Sequence, residues 1–586
     1  MSFRFLSLVF SALAAALVAG AAPDLLIVGG GISGLSAAAE GARLGLQVIV
    51  VDRNSLYGGV AVIASGIAIV ASPAQEQRGI KDSPELAFQD FVNWGGDPNT
   101  GWARYYSEHS KVELFDWFVA RGVQFDKIVK ANGNSVARFH YPRGGDVSLV
   151  QALYREIHRL GGVEFIMNTD VTGLTTENGR VTGVKVRDYR LGIQRAIGAR
   201  NVLLSTGGFE NNQDLVREFW PSQLGKPERI LLGSGTQSIG SGLGLARSAG
   251  GAVAQLDRQW IYIPGIPLPD DPAGARGVFV NAIGPIWVNA EGKRFINESG
   301  DRRAKLEAVT HQSHAKAWMI FDAAFRNRIE IVHPIFNAEP TKSNLMKRPG
   351  IQFEAASIEE LAEKAGLPPA ALAASVERYN QGIESGKDEF GRRIIPSGSS
   401  KQTSTRPIQT APFFAIPIYP LTRKSMGGIQ VDLSCRVLTD QGKVVPGLYA
   451  SGEATGFGGV NGKQSLEGTF IGTAILMGRV AARSIAEQSN LAERPKAGNS
   501  TQEISVLAKT DATADTACQT CHNLPSLTAE SRPGYRHFQL SHKVVMEREL
   551  SCIGCHAEMT PFQAEAHKIN KLAQADTCTA CHSPAQ

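Results

Sequence analysis

Three Cys-x-x-Cys-His units stand between residues 518 and 582: Cys518-Gln519-Thr520-Cys521-His522, Cys552-Ile553-Gly554-Cys555-His556 and Cys578-Thr579-Ala580-Cys581-His582. In this spacing two thiols add to the vinyl groups of one haem, and the adjacent imidazole ligates its iron. Paired Cys-x-x-Cys units also build tetrahedral zinc sites. Zinc, however, needs no His directly after every second Cys, and here all three have one. The expectation is three covalent c-type haems. Six of the chain's seven cysteines fall in these motifs, and the seventh, Cys435, reads as a buried small apolar residue.

Histidine usage points the same way. Of twelve histidines, six follow residue 515: the motif ligands His522, His556 and His582, and three more, His537, His542 and His567. The second three suffice to give each iron another imidazole, with Met546 and Met559 as competing sixth ligands. Bis-His ligation is the preferred reading and implies low-potential haems suited to passing electrons. The tail, residues 516–586, resembles the small, mostly helical multihaem cytochromes, in which haems pack into a short wire around little protein core.

Thioether attachment takes place outside the cytoplasm, and the N-terminus agrees. Arg4 precedes an apolar run from Phe5 to Val18 and then Ala19-Gly20-Ala21, the pattern of a cleaved secretory signal at residues 1–21. The run is too short for a membrane span. The expected location is the periplasm.

Residues 22–486 are long enough for two or three packed domains, and 43% apolar with 20% charged residues is ordinary for a globular protein. A net charge of +5 gives no case for nucleic acid. The tail is balanced, so the positive excess belongs to the body, where it suits an anionic substrate. A linker at 487–515, rich in Ser, Thr, Ala, Asn and Lys, joins the two.

The body opens as strand, glycine turn, helix, strand. Leu25-Leu26-Ile27-Val28 leads into the G-x-G-x-x-G of Gly29, Gly31 and Gly34; a helix runs through Leu44; Val48-Ile49-Val50-Val51 ends at Asp52. Such glycines let a pyrophosphate approach the helix N-terminus, while the acid holds a ribose hydroxyl. NAD and FAD share this fingerprint.

Further glycine-punctuated segments follow: Tyr57-Gly58-Gly59, Ser65-Gly66-Ile67, Leu203-Leu204-Ser205-Thr206-Gly207-Gly208, Ser451-Gly452-Glu453-Ala454-Thr455-Gly456 and Gln464-Ser465-Leu466-Glu467-Gly468. With the first motif, in this order over about residues 24–485, they resemble the FAD-dependent fumarate reductase and 3-ketosteroid dehydrogenase superfamily. The resemblance implies an α/β fold with a Rossmann-like FAD-binding domain (22–256 and 421–486) and an inserted α+β capping domain (257–420) that closes over the substrate. It implies non-covalent FAD, with Gly452 and Glu453 near the diphosphate and Ser65, Gly66, Ser465 and Leu466 near the isoalloxazine. Joined to a haem tail, the body is similar to the flavocytochrome c fumarate reductases, except that its haem segment is C-terminal with three motifs rather than N-terminal with four.

The same resemblance allows a check of the fumarate-reductase substrate residues. The acid-acting Arg of that family is matched by Arg302 in Asn297-Glu298-Ser299-Gly300-Asp301-Arg302. Its His-Pro-Thr is replaced by Ile263-Pro264-Gly265, next to Tyr262; the His before Met426-Gly427-Gly428 is replaced by Arg423-Lys424-Ser425; the carboxylate-clamping Arg is absent from Gln464-Ser465-Leu466; the Glu-x-x-Arg relay keeps Arg276 but has Ala273 in place of Glu. Most dicarboxylate recognition is therefore missing, and fumarate is not the expected main substrate. The resemblance implies hydride transfer at a carbon next to an electron-withdrawing group, with Arg302 as acid, Arg423 and Lys424 stabilising the enolate and Tyr262 as an alternative donor. Expected partners are a small unsaturated substrate and a periplasmic or membrane-bound quinol-linked cytochrome as electron donor. Two alternatives stay open: a dehydrogenase draining electrons into the haems, and a non-catalytic electron carrier.

Overall fold

The computed structural model describes residues 22–489, apart from residues 55, 189–191, 269–270, 272–273, 333–340 and 396–404. The expected signal at 1–21, most of the linker and the whole haem-motif segment lie outside the described residues. Among the described residues, no helix is long and apolar enough to cross a membrane.

The first layer is a six-stranded sheet in the spatial order Arg436–Leu438, Val444–Ala450, Val202–Leu204, Leu25–Val28, Val48–Val51, Val163–Ile166. All pairings are parallel except that of the first two strands. Leu25–Val28 is buried along its whole length, as a central parallel strand covered on both faces must be. The expected strand–turn–helix–strand is present, with the helix at Ile32–Arg43 and Leu44 as its C-cap. That helix packs on the long helix Thr469–Gln488 at very close range. A Cβ at Gly478 would lie 2.1 Å from the Ser33 carbonyl oxygen, so only glycine permits this approach. The long helix runs two residues into the span expected for the linker.

The second layer is an eight-stranded sheet built on the thirteen-residue strand Phe413–Ser425. It pairs with Ala317–Asp322 over its first half and with Gln259–Pro267 over its second. Leu231–Leu232 also joins this strand, so the sheet draws on residues on both sides of the span 257–420. The strand ends at Arg423-Lys424-Ser425, and this end carries the chain from the second sheet to the first. A buried ion network ties the second layer together. Arg294 donates to both oxygens of Glu298 (3.0 and 2.9 Å) and to Asp388 (2.8 Å), while Arg392 lies 3.5 Å from Glu298. Cys435 is buried, with its thiol 3.4 Å from the Met477 carbonyl, and burial pushes its pKa well up.

Candidate active site

Between the helix Ile32–Arg43 and the two sheets runs an open cleft. Of the sequence candidates, Gly29, Gly31, Asp52, Gly59, Gly207, Lys424 and Glu453 line it. Gly31, the N-cap, supplies no side chain to the first-turn amides, and a Cβ there would meet nothing within 4 Å. Those amides and the positive end of the helix therefore face the cleft unscreened, as a diphosphate requires. At Gly29 the backbone takes φ +105°, and a Cβ would sit 2.5 Å from the Ser205 carbonyl oxygen. Half-buried Asp52 accepts the Gly30 amide (2.6 Å) on one oxygen and the Asn54 amide (2.7 Å) on the other. Burial nonetheless raises its pKa above the usual carboxylate value. In the same cleft the Thr206 hydroxyl and both amide atoms of Gln237 are buried without a protein partner. These groups fit a long, polar, phosphate-bearing ligand with an apolar end against Phe457 and Phe470.

The other glycine-motif candidates stand behind the wall and shape it. Gly34 packs under Gly29, Gly452 packs against Ser33, and the Gly58 amide donates to the Gly30 carbonyl (2.7 Å). Gly66 backs onto Phe139, and Ser65 precedes it at the start of the same loop. Leu466 is buried, and the Ser465 carbonyl accepts the Trp94 indole N–H at 3.0 Å. The buried Ser465 hydroxyl turns back onto the Leu466 carbonyl, 3.1 Å away, and offers no cation to a substrate.

His140 supports the Ser65–Gly66 loop from the strand Phe139–Pro142, where it pairs with Ile67. Its Nδ1 donates to the Arg138 carbonyl (2.5 Å), so Nε2 accepts from the Ser72 hydroxyl (2.7 Å). Burial pushes its pKa down to about 4. The unfolded chain therefore takes up this proton first. The associated stability is complete above the ordinary His value of about 6.5, falls by about 1.4 kcal/mol per pH unit at most, and levels off below the folded value. Urea unfolding at pH 7 and pH 4.5 should show wild type losing about 2–3 kcal/mol more than His140→Gln across that interval.

A second constellation stands above the cleft. Arg302 is the first residue of the helix Arg302–Thr310, whose amides at Arg303 and Ala304 are capped by Asp301. A cation at a helix N-terminus opposes the helix dipole, so local stability does not explain it. Its surroundings do. The guanidinium carbon lies 4.2 Å from the centre of the Tyr262 ring, with Phe279 at 5.6 Å and Trp260 at 5.7 Å. Its Nη1 meets Glu467 Oε1 at 2.5 Å, and the Tyr262 hydroxyl donates to the same oxygen at 2.9 Å. Burial would lower the Arg302 pKa, but Tyr262 and Glu467 more than offset it, and the net direction is upward. Burial, with Glu467 next, raises the Tyr262 pKa as well. Neither Asp301 nor Glu298 is the counter-ion of Arg302; that role falls to Glu467, which the sequence reading did not single out.

Arg423 and Lys424, paired in the sequence reading, diverge. Arg423 donates to the Gly233 carbonyl (2.9 Å) and lies 5.4 Å from the Tyr262 ring centre, on the side of the Arg302 group. Lys424 lines the cleft 3.9 Å from Glu453. Both sit at the end of their strand, half-buried, and not at an exposed strand start. Glu453 also accepts the Ser425 amide (3.2 Å). Beside it Glu210, fully buried, is held well above the carboxylate range by burial and by the Glu453 charge. Arg276 donates to the Ser234 carbonyl (3.0 Å). The missed residues Glu467 and Glu210 carry no motif signal of their own, although Glu467 lies inside the quoted Gln464–Gly468 segment.

The chain matches the FAD binding domain model over residues 24–471. It belongs to that family. A KsdD-like steroid dehydrogenase of Mycobacterium tuberculosis is 30% identical over 551 residues, covering 80% of this chain and 96% of that protein. The fumarate reductase (cytochrome) of Shewanella frigidimarina is 31% identical over 474 residues, covering 80% of this chain and 77% of that protein. The open conformation of a flavocytochrome c3 fumarate reductase superposes with a TM-score of 0.67 at 25% identity, over 80% of this chain and 79% of that structure. The fold is thus the mixed α/β FAD-binding fold of these flavoproteins, and the protein is an FAD-dependent oxidoreductase. The cleft fits the cofactor: the open N-terminus of Ile32–Arg43 for the diphosphate, Asp52 for a ribose, Thr206 and Gln237 for its remaining polar groups.

Proposed function

We propose that the protein reduces the C=C bond of a small α,β-unsaturated acid or ketone, using FAD in the cleft. Its electrons would arrive in the periplasm from a quinol-linked cytochrome through three c haems on residues 516–586. FAD supplies hydride transfer. The chain's own residues bind and polarise the substrate: Arg423 would hold the carbonyl or carboxylate oxygen, the β carbon would take the hydride, and Arg302 would give a proton to the α carbon of the resulting enolate. The single observation that carries this reading is the convergence of Arg302, Tyr262 and Arg423, on three separate elements, beside a cleft that fits FAD. A non-catalytic electron carrier needs no such buried cluster beside its flavin cleft.

Of the two relatives, one is by name a fumarate reductase and the other a steroid dehydrogenase, which supports redox chemistry on a small organic substrate. Run in reverse, with the haems draining electrons, the same residues serve a steroid-dehydrogenase-like oxidation. Reduction is favoured here because a bis-His haem wire of low potential feeds a flavin more readily than it drains one.

Two measurements test the cofactor and location parts. Pyridine haemochrome against acid-released flavin should give a ratio near three to one. N-terminal sequencing of periplasmic protein should begin close to Ala22. Zinc without haem, or an intact N-terminus in a cytoplasmic fraction, would contradict the proposal.

A further inference from the structure

Glu467 satisfies the charge of Arg302 from within the protein. Its carboxylate accepts the Arg302 guanidinium and the Tyr262 hydroxyl on one oxygen. Its side chain retains 18% exposure, equal to that of Arg302, so the pair borders open space and is not sealed in the core. Glu467 sits in the turn just before Thr469–Gln488, the helix whose Phe470, Ile471 and Ala474 line the flavin cleft. Arg302 is neutralised by Glu467, and Lys424 faces Glu453. Arg423 has no carboxylate within ion-pair distance among the described residues and donates to the Gly233 carbonyl.

From this charge inventory we infer that Glu467 is a specificity-determining residue that takes the seat of a second substrate carboxylate. Arg302 is thereby withdrawn from balancing a substrate charge, while Arg423 stays available to one substrate oxyanion. A dicarboxylate must place its second carboxylate near Glu467, in a partly desolvated site where like charges repel strongly. An enone or a monocarboxylate enoate leaves the Arg302–Glu467 pair intact. The inference rests on the proposed C=C reduction and names the substrate class within it.

The test uses the full-length holoprotein, with Glu467→Ala to open the seat and Glu467→Gln to remove the charge in nearly the same volume. Steady-state turnover from reduced viologen is measured on fumarate, crotonate and cyclohexenone. Binding of succinate to the oxidised protein is followed separately by the change in flavin absorbance. Both variants should raise the ratio of fumarate to cyclohexenone kcat/KM at least tenfold and tighten succinate binding at least tenfold. Adding Arg302→Ala to Glu467→Ala should abolish the tightened binding. A residue that merely holds the fold would lower all substrates together and leave succinate binding weak.

Unchanged ratios and unchanged succinate binding in both variants, with normal FAD content, overturn the inference while leaving C=C reduction standing. If wild type turns over none of the three substrates, C=C reduction fails with it.

Discussion

Arg302→Ala is expected to retain FAD and haem content and lose turnover by several powers of ten. A positioned general acid contributes about 10²–10⁴, and loss of a cation where negative charge develops adds a further factor of about 10²–10³. The guanidinium is held above its ordinary pKa by Tyr262 and Glu467 against the pull of burial, so it stays protonated throughout the working pH range. Such a group is a poor donor to water. It can still protonate the carbon of an enolate, a far stronger base, provided the site is closed to solvent and the proton is replaced quickly. Tyr262 and Glu467, both hydrogen-bonded around it, are placed to return that proton. Arg302→Lys should not restore full activity, because a lysine cannot reproduce the planar stacking on Tyr262 while reaching Glu467. Rapid-mix measurement of substrate reduction in these variants checks this. Near-normal turnover in Arg302→Ala would move the proton to Tyr262, which Tyr262→Phe would then expose.

The largest loss of stability is expected for Arg294→Met. Arg294 and Asp388 are almost wholly buried, with side-chain exposures of 3% and 1%. Removing the guanidinium leaves Glu298 with only the more distant Arg392 and the Trp287 amide, and Asp388 without its ion partner. Breaking a buried pair in this way typically costs about 3–5 kcal/mol. Asp388 is held below the ordinary carboxylate pKa by Arg294 in spite of burial, so the variant should be less damaged in acid, where Asp388 is protonated. Thermal unfolding should show a drop of several degrees that is full at neutral pH and narrows only as pH falls below about 4, where the folded Asp388 takes up its proton. Because Glu298 lies just before the helix that starts at Arg302, activity should fall together with stability.

Local chemistry was legible in the sequence where it is local in space. The strand Leu25–Val28, the helix to Arg43 and the strand ending before Asp52 are fixed by an apolar run, a glycine turn and a second run. Arg302 was legible through its motif. Its counter-ion was not, because Glu467 is 165 residues away and meets it only when the two sheets pack. Arg423 and Lys424 look equivalent in sequence, yet alternation along a strand sends them to different sides. Glu210 was invisible for a related reason: its unusual acidity comes from Glu453 and burial, neither of which is near it in the chain. The haem motifs lie outside the described residues and stand on their spacing alone.

The central claim is that this flavoprotein reduces a singly activated C=C bond and not a dicarboxylate. It is tested most directly by supplying electrons from reduced viologen to the purified holoprotein and comparing kcat/KM for cyclohexenone, crotonate and fumarate. The account predicts that at least one of the first two exceeds fumarate by tenfold or more. Fast, tight reduction of fumarate, ahead of both, would contradict it.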